Sequence, residues 1–493
     1  MKIIINGDIK PYYIQMLAML FYPGERFPEG EAALDFRRAE IDVLHDGNGV
    51  RARAALTDGD RTETAEAFVP HGSVPENRIS KIAAGGAFLK VCERLTGHRP
   101  PWGMLTGVRP ARLAEELMQN GMSEIDVRDF FENVYRTTAG KARLAAETAS
   151  VSRRLITEQT RRECSVYIAI PFCPTRCAYC SFVSYTSPKL LSMIPEYLEA
   201  LLLDIDSSFE LIRSLGFRVS TVYIGGGTPT VLDERQLERL LDRVVKNIDS
   251  PDEFTLEAGR PDTITKEKLE AAARSGVTRL SVNPQSLNDE VLRAVGRAHT
   301  VEQFYRAYDI AASCGIRDVN VDLIAGLPGD GYNSFCDSVD GIISLDPTNI
   351  TVHSFSVKKS AEFKTSGSDV FDREGTIAAK SVDYAAERIM ESGYLPYYMY
   401  RQKNTVGNLE NIGYAKKSHE GLYNIYMMDE IHSIFALGAS SVTKLLKYDK
   451  DGSQIIERMF EPKYPYEYLR ERKSGDFEKI RLEKEKKIRK FFS

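Results

Sequence analysis

Three cysteines stand close together in this chain, and the gaps between them are uneven. Three residues separate Cys173 from Cys177, and two separate Cys177 from Cys180. Structural zinc sites take four protein ligands, and ordinary iron–sulfur clusters are held by four cysteines. Three thiolates therefore leave one coordination position at which a small molecule can bind iron and react. The spacing predicts a reactive iron–sulfur centre, with a zinc site completed by a histidine or aspartate as the alternative.

The cysteines directly follow the first of six strand patterns that alternate with helical patterns. This alternation predicts an α/β architecture with a parallel sheet. The predicted strands are Val166–Ile170, Thr221–Ile224, Phe254–Glu257, Arg279–Val282, Val319–Leu323 and Ile350–Phe355. Apolar residues at helical spacing predict helices over Ile194–Leu215, Glu234–Val245, Lys266–Ser275 and Val301–Cys314. Gly216, Gly276 and Gly315 stand where helix C-caps belong.

The unusual residues of this region fall at the carboxyl ends of the predicted strands. In strand order they are Cys173, the run Gly225-Gly-Gly-Thr-Pro229, Glu257, Gln285 and Asp322. Ligands bind at that edge of parallel sheets, so we predict one shared cavity. Glycines let a ligand approach the backbone closely, and carboxylates suit ribose hydroxyls. A tight turn, helix caps and surface ion pairs are the structural alternatives.

The segment from Tyr167 to Phe182 resembles the cluster-binding segment of the radical S-adenosylmethionine (SAM) enzymes. The resemblance implies that Cys173, Cys177 and Cys180 hold a [4Fe–4S] cluster whose fourth iron chelates the amino and carboxylate groups of SAM. An electron from the cluster then cleaves SAM to a 5′-deoxyadenosyl radical. The triple glycine resembles the segment of this superfamily that binds the methionine amino group. The fold implied is a partial (β/α)6 barrel.

Three further blocks, Ser281–Leu287, Val295–His299 and Asn320–Pro328, resemble the oxygen-independent coproporphyrinogen III oxidases. The N-terminal region and the run Asn404–Tyr414 are similar to the Firmicute-type coproporphyrinogen dehydrogenase branch. The resemblance implies oxidative decarboxylation of coproporphyrinogen III to protoporphyrinogen IX in haem biosynthesis. It also implies SAM contacts from Tyr167, Phe182, Gly226, Thr228, Glu257, Gln285, Arg297 and Asp322.

Two positions depart from that family pattern. The family usually carries histidine where this chain has Ala169, so no imidazole is available there. The segment Glu257-Ala-Gly-Arg-Pro261 replaces the usual Glu-x-Asn-Pro. Two alternative functions share the cofactor machinery, namely a haem chaperone and a radical enzyme acting on another tetrapyrrole. The size of the N-terminal region favours the decarboxylase over the chaperone.

A tetrapyrrole substrate with several propionates needs cationic partners. The candidates by position after the barrel are Lys358, Arg401, Lys403 and Lys444, for which solvated surface charges are the alternative. Four tyrosines could line the macrocycle site or pack in a C-terminal core, namely Tyr397, Tyr398, Tyr400 and Tyr414. We also expect an electron donor for the cluster and an electron acceptor.

Length and composition set the wider expectations. A chain of 493 residues holds two to four domains. We predict an α+β domain over residues 1–150, the barrel over 151–360, and a smaller, mainly helical domain over 361–493 that covers the substrate. The net charge of −5 argues against a nucleic-acid-binding surface over the whole molecule. Scattered unpaired cysteines and the lack of a leader or membrane span predict a cytoplasmic protein.

The segment Pro100–Pro110 contains the only tryptophan, Trp102. Its prolines and glycines predict an ordered loop, most simply a packed turn between helices.

Overall fold

A computed structural model describes residues 1–28, 37–107, 109–180, 184–356, 376–402, 408–474 and 477–493. The chain divides into two compact units. The first comprises Met1–Ser150 with residues 376–379 and the described residues of 400–410, and the second comprises the remaining described chain. The division into three domains stays a prediction.

The first unit is built on a four-stranded sheet. Its strands are β1 (Lys2–Asn6), β2 (Arg37–Asp46), β3 (Gly49–Asp58) and β4 (Arg61–Pro70). Strand β1 runs parallel to β2, and the other pairs are antiparallel. Its helices are α1 (Pro11–Phe21), α2 (Glu76–Thr96), α3 (Pro110–Gln119), α4 (Glu124–Asn133) and the greater part of α5 (Ala139–Leu155), whose residues 151–155 fall in the second unit. Alternate residues of β2, such as Ala39, Ile41 and Val43, are buried, as expected for a sheet with one face on a core.

The loop around Trp102 is ordered and packed. The indole is buried, and its Nε1–H donates to Glu410 Oε2 at 2.8 Å. Lys141 Nζ pairs with the other oxygen of Glu410 at 2.5 Å. Burial acts to raise the pKa of Glu410, but Lys141 and the indole together lower it. The packed turn predicted for this segment is confirmed.

The second unit contains the six parallel strands predicted from the sequence. They are β5 (Glu163–Ile170), β6 (Arg218–Gly226), β7 (Glu253–Glu257), β8 (Arg279–Ser281), β9 (Asp318–Ala325) and β10 (Asn349–Ser354). Neighbours in chain order are neighbours in the sheet, and all five pairs are parallel. This open order is that of a partial (β/α)6 barrel, so the fold class is confirmed.

Helices connect these strands. They are α6 (Pro188–Leu191), α7 (Ile194–Ser214), α8 (Glu234–Asn247), α9 (Lys266–Arg274), α10 (Asp289–Ala294), α11 (Val301–Ser313) and α12 (Tyr332–Ser344). Three of them are followed by the predicted capping glycines Gly216, Gly276 and Gly315, with φ of 79°, 76° and 85°. Among the helices of the described ranges, none combines the length and the apolar character that crossing a membrane requires.

The C-terminal region contains helices, as we expected, and also strands that we did not predict. Among its described residues, the helices are α13 (Thr376–Glu391), α14 (Leu422–Met428), α15 (Pro465–Lys473) and α16 (Phe477–Phe492). The strands in the same described residues are β11 (Leu395–Arg401), β12 (Glu410–Ala415), β13 (Ser433–Leu437), β14 (Val442–Tyr448) and β15 (Gln454–Phe460). These strands extend the main sheet at both edges, with β12 beside β10 and β13 beside β5. An open barrel has two unpaired edges, and added strands satisfy their backbone groups.

Candidate functional site

The cysteine loop follows β5 and is anchored on both sides. Cys173 and Cys177 are buried, and Cys180 is partly exposed. The backbone N–H of Cys173 donates to Tyr185 O at 3.2 Å, and that of Ala178 donates to Val295 O at 3.0 Å. Within the described residues, no three His, Cys, Asp or Glu side chains are arranged about a single metal ion. A [4Fe–4S] cluster requires a wider arrangement of ligands, because each thiolate binds its own iron atom.

The glycine segment after β6 packs directly against this loop. The N–H groups of Gly227 and Thr228 donate to Ile170 O and Phe172 O, each at 2.8 Å. A Cβ at Gly227 would lie 2.5 Å from Phe172 O, so only glycine fits there. Thr228 Oγ1 lies 3.2 Å from Cys173 Sγ. Burial raises the pKa of the Cys173 thiol, and the Thr228 hydrogen bond opposes that shift.

Two buried arginines reach the same cysteine. Arg260 Nη1 lies 3.8 Å from Cys177 Sγ, and Arg297 Nη1 lies 4.0 Å from it. Arg260 also binds both carboxylate oxygens of Asp262 at 2.9 Å and the hydroxyl of Thr175 at 3.1 Å. We call the three cysteines with Arg260 and Arg297 the cysteine side of the site.

Arg297 is tied to the chain around it. It donates to Gly259 O at 2.8 Å, to Asn283 O and to the Tyr179 hydroxyl at 2.9 Å. Its Nε donates to His299 Nδ1 at 3.3 Å. Burial and the charge of Arg297 lower the pKa of His299 to about 3, so that imidazole is neutral and can accept this bond. Each guanidinium nitrogen of Arg297 therefore has a partner.

Two carboxylates face each other across neighbouring parts of the sheet: Glu257 ends β7, and Asp322 lies within β9, three residues before its end. Burial and the neighbouring Asp322 raise the pKa of Glu257 to about 8, although the N–H of Gly226 donates to it. A Cβ at Gly225 would lie 2.6 Å from Glu257 Oε2, so the glycine makes room for this carboxylate. In the described part of the chain, no lysine or arginine forms a salt bridge with Glu257. Such a pair suits a ligand that carries positive charge or donates hydrogen bonds.

Gln285 is the third residue beside Glu257 and Asp322, and its backbone conformation is unusual. Its φ is 73°, a left-handed value that costs energy for a residue with a side chain. Its N–H donates to Asp322 O at 3.0 Å, and its own carbonyl accepts from Ile324 N at 2.9 Å. The buried side-chain oxygen Oε1 has no hydrogen-bond partner among the described residues. We call Glu257, Asp322 and Gln285 the carboxylate side of the site.

Three tyrosines form an aromatic cluster beside the carboxylate side. Tyr167 on β5 and Tyr223 on β6 stack with ring centroids 5.9 Å apart, and Tyr423 on α14 stacks on Tyr223 at 4.7 Å. Burial raises the pKa of all three hydroxyls, and the Glu257 charge adds to the shift. The cluster therefore stays neutral and presents apolar rings next to Glu257.

A buried ion network holds Tyr423 in place. Arg279 Nε pairs with Glu253 at 3.1 Å, and Glu253 accepts the N–H groups of Leu422 and Tyr423 at 2.9 and 3.1 Å. Arg279 also donates to His419 O at 2.9 Å. The start of α14 is thereby fixed to the first residues of β7 and β8.

Sequence reasoning missed several residues at this site. His353 on β10 has Nε2 3.7 Å from Asp322 Oδ2 and Nδ1 3.3 Å from Asn411 Oδ1. It supplies an imidazole on a different strand from Ala169, whose carbonyl accepts from the Tyr197 hydroxyl at 2.8 Å. The alternation along β10 places His353 on the face of Thr351 and could have indicated it. The unusual segment Glu257–Pro261 marked Arg260 without giving it a role, and nothing local indicated Tyr423.

The residues considered for the substrate have other surroundings. Arg401 is buried and donates to Leu105 O at 2.5 Å and to Asn408 O at 2.9 Å. Lys444 Nζ donates to Met427 O at 3.1 Å. These bonds to carbonyls indicate structural roles. Tyr397 and Tyr414 are fully buried, as in the packed-core alternative. Phe182, Lys358 and Lys403 lie outside the described residues.

The residues present fit a cluster and a cationic nucleotide. Three cysteines on one loop supply thiolate donors beside two arginine charges. On the carboxylate side, Glu257 has no cationic side-chain partner in the described chain, and a bound cation would lower its raised pKa and favour its ionised form. Gln285 Oε1 is a buried acceptor with none of its hydrogen bonds made among the described residues. A ligand with an ammonium group, a sulfonium and ribose hydroxyls would supply both the missing positive charge and the missing hydrogen-bond donors. The assignment of individual SAM contacts stays a prediction.

Comparison with known proteins agrees with this chemistry. Residues 167–341 match the family model of the radical SAM superfamily. The oxygen-independent coproporphyrinogen-III oxidase-like protein HemZ of Bacillus subtilis is 35% identical over 400 residues, covering 80% of this chain and 78% of that protein. The heme chaperone HemW of the same organism is 35% identical over 206 residues, which cover 40% of this chain and 52% of HemW.

A solved structure shows the same fold. Coproporphyrinogen III oxidase HemN from Escherichia coli superposes with a TM-score of 0.51 and 22% identity, covering 64% of this chain and 70% of that chain. The match to HemZ extends over most of both proteins, whereas the family model covers only the barrel. The chain belongs to the oxygen-independent coproporphyrinogen-III oxidase-like family of the radical SAM superfamily.

Proposed function

We propose that this protein catalyses the oxygen-independent decarboxylation of coproporphyrinogen III to protoporphyrinogen IX. The observation that carries the proposal is the extent of the similarity to the HemZ protein, which includes 80% of this chain. The similarity to the HemW chaperone covers half as much of the chain. Regions outside the barrel therefore favour the oxidase-like relative.

As a radical SAM protein, the chain uses a [4Fe–4S] cluster and SAM, which together supply a 5′-deoxyadenosyl radical. Cys173, Cys177 and Cys180 would hold the cluster. Glu257 and Asp322 would accept hydrogen bonds from SAM and balance its positive charge. Gln285 would offer its side-chain oxygen from a backbone that β9 fixes. These tasks follow from the donors and acceptors of the described residues.

The walls of the site protect a reactive radical. The stacked Tyr167, Tyr223 and Tyr423 are neutral and buried, so they limit the access of water to the space beside Glu257. A primary carbon radical needs such exclusion, because it abstracts hydrogen from any group within reach. The ion network of Glu253 and Arg279 keeps α14 fixed and so maintains this wall.

The reaction on the substrate would proceed once for each of two propionates. A hydrogen atom is abstracted from the β-carbon of the propionate. The bond between the α-carbon and the carboxylate carbon then breaks to release carbon dioxide. One electron passes to an external acceptor, and a vinyl group remains. His353, whose Nε2 lies 3.7 Å from Asp322 Oδ2 and whose Nδ1 lies 3.3 Å from Asn411 Oδ1, is positioned to donate a hydrogen bond to a carboxylate.

A second candidate function is that of a haem chaperone. It is favoured by the 35% identity to HemW within the shared region. A chaperone would bind haem tightly, and any SAM cleavage would not be coupled to decarboxylation. A radical enzyme acting on another tetrapyrrole is the third alternative, because it would use the same cofactors.

One anaerobic assay separates these functions. The full chain is reconstituted with iron and sulfide and given a reductant, SAM and an electron acceptor together with coproporphyrinogen III. We expect carbon dioxide release and two new vinyl groups per substrate molecule, detected by mass spectrometry. A Cys177→Ala variant should give neither product. Stoichiometric haem binding without carbon dioxide release would contradict the proposal and favour the chaperone.

A further inference from the structure

The segment Glu257-Ala-Gly-Arg-Pro261 departs from the family pattern, and the departure places an arginine against the cysteine loop. Arg260 is 3% exposed, although Thr175, which it contacts, is exposed. Its Nη1 lies 3.3 Å from Thr175 O and 3.8 Å from Cys177 Sγ. A buried guanidinium is costly unless its hydrogen bonds are made, and here all three nitrogens have partners. The side chain is thus held in one orientation toward the sulfur.

Asp262 sets that orientation. The guanidinium and the Asp262 carboxylate form a two-bond pair, both bonds being 2.9 Å long. The short turn Pro261–Thr263 presents Asp262 two residues after Arg260. This fork geometry directs the remaining donor, Nη1, at the cysteine loop. Arg297 approaches the same sulfur at 4.0 Å, but the same nitrogen, Nη1, also donates to the Tyr179 hydroxyl at 2.9 Å, and Nη2 donates to backbone carbonyls.

We propose that Arg260 is a positioning residue that raises the reduction potential of the iron–sulfur cluster through the Cys177 sulfur. Reduction adds one electron to the cluster and its thiolates, so the reduced form carries more negative charge. A fixed positive charge and an N–H···S hydrogen bond stabilise that form more than the oxidised form. A cluster of low reduction potential is hard to reduce, and Arg260 makes its reduction more favourable. This inference rests on the cluster alone and not on the identity of the substrate.

The test is a redox titration of the reconstituted full chain without SAM, followed by electron paramagnetic resonance. Arg260→Met keeps most of the side-chain volume and removes the charge and the donors. At a fixed potential we expect the ratio of reduced to oxidised cluster to fall about tenfold, equivalent to about 59 mV for a one-electron couple. Iron and sulfide contents are measured on the same samples. Arg293→Met, at an exposed arginine on α10, is the matched control and should titrate like the wild type.

The outcomes separate tuning from a merely structural role. A full cluster with a lower potential in Arg260→Met supports the proposal. A full cluster with unchanged potential overturns it, because Arg260 would then only hold the loop. If Arg260→Met loses the cluster, Arg260→Gln decides, because it keeps a hydrogen-bond donor and loses the charge. A potential below that of the wild type then supports the proposal, and an equal or higher one overturns it. These redox measurements do not depend on the substrate, so they would remain valid if the decarboxylation assay failed.

Discussion

The two sides of the site carry opposite charges. The cysteine side has two buried arginines within 4.0 Å of Cys177 Sγ, whereas the carboxylate side has Glu257 and Asp322 close enough to raise the pKa of Glu257 to about 8. Each side suits a different part of the bound cofactors. Arginines offset the negative charge of a thiolate-bound cluster, and carboxylates offset the positive charge of SAM. Under the proposed function, a site divided in this way would favour one orientation of SAM.

The largest expected effect comes from removing a thiolate. Cys177→Ala should abolish cluster binding, because two cysteines leave a second iron without a protein ligand. Iron and sulfide content and the brown absorbance of the reconstituted protein measure the loss. Cys336→Ala, at a partly exposed cysteine on α12, should keep the full cluster. Stoichiometric zinc in place of iron and sulfide in the wild type would contradict an iron–sulfur cluster at the cysteine side. The comparison of the two sides depends on that cluster.

The next effect tests the carboxylate side. Glu257→Gln keeps the shape and removes the charge, so SAM should bind about tenfold to a hundredfold more weakly, as for lost hydrogen bonds to a charged group. Anaerobic calorimetry on cluster-loaded protein gives the dissociation constant. Glu234→Gln, at an exposed glutamate on α8, is the control. Equal affinities for both variants would show that Glu257 does not face SAM.

A pH experiment on the cluster-free protein without SAM examines the same carboxylate. The native-state pKa of Glu257, about 8, lies above its unfolded value, so the native state holds its proton more tightly. The stabilisation is complete below the unfolded pKa and is lost as pH rises through about 8. Relative to Glu257→Gln, the wild type should lose roughly 3 kcal/mol of unfolding free energy between about pH 5 and 9. Urea unfolding at the two pH values measures this difference, and parallel profiles would contradict it.

The smallest expected effect comes from removing the influence of one carboxylate, Asp322, on the pKa of the other, Glu257. Asp322→Asn removes the charge that opposes ionisation of Glu257, so the native-state pKa of Glu257 should fall and the loss of stability should be complete about one pH unit lower. The same unfolding series detects the displacement. Asp337→Asn, at an exposed aspartate on α12, should leave the profile in place. An unchanged midpoint in Asp322→Asn would mean that burial alone raises the pKa.

Much of the barrel could be predicted from local sequence signals. The six strands were expected within a few residues of their observed bounds, because each is a short β-branched run between helical patterns. Gly216, Gly276 and Gly315 marked helix ends, since the left-handed backbone there favours glycine. The C-terminal strands were harder to predict. β13 pairs with β5, more than 260 residues away, and local propensity carries no information on such pairing.

The sequence by itself determined which residues lie at the carboxyl ends of the strands, because strand periodicity and chain order fix that edge. The spacing of Cys173, Cys177 and Cys180 also predicted the donor set of the cluster, which stays a prediction. Only the tertiary structure decided that Arg260 and Arg297 meet at Cys177, that Tyr423 completes the aromatic cluster and that His353 lies beside Asp322. These contacts join distant segments, and the packing that brings such segments together is a property of the whole fold.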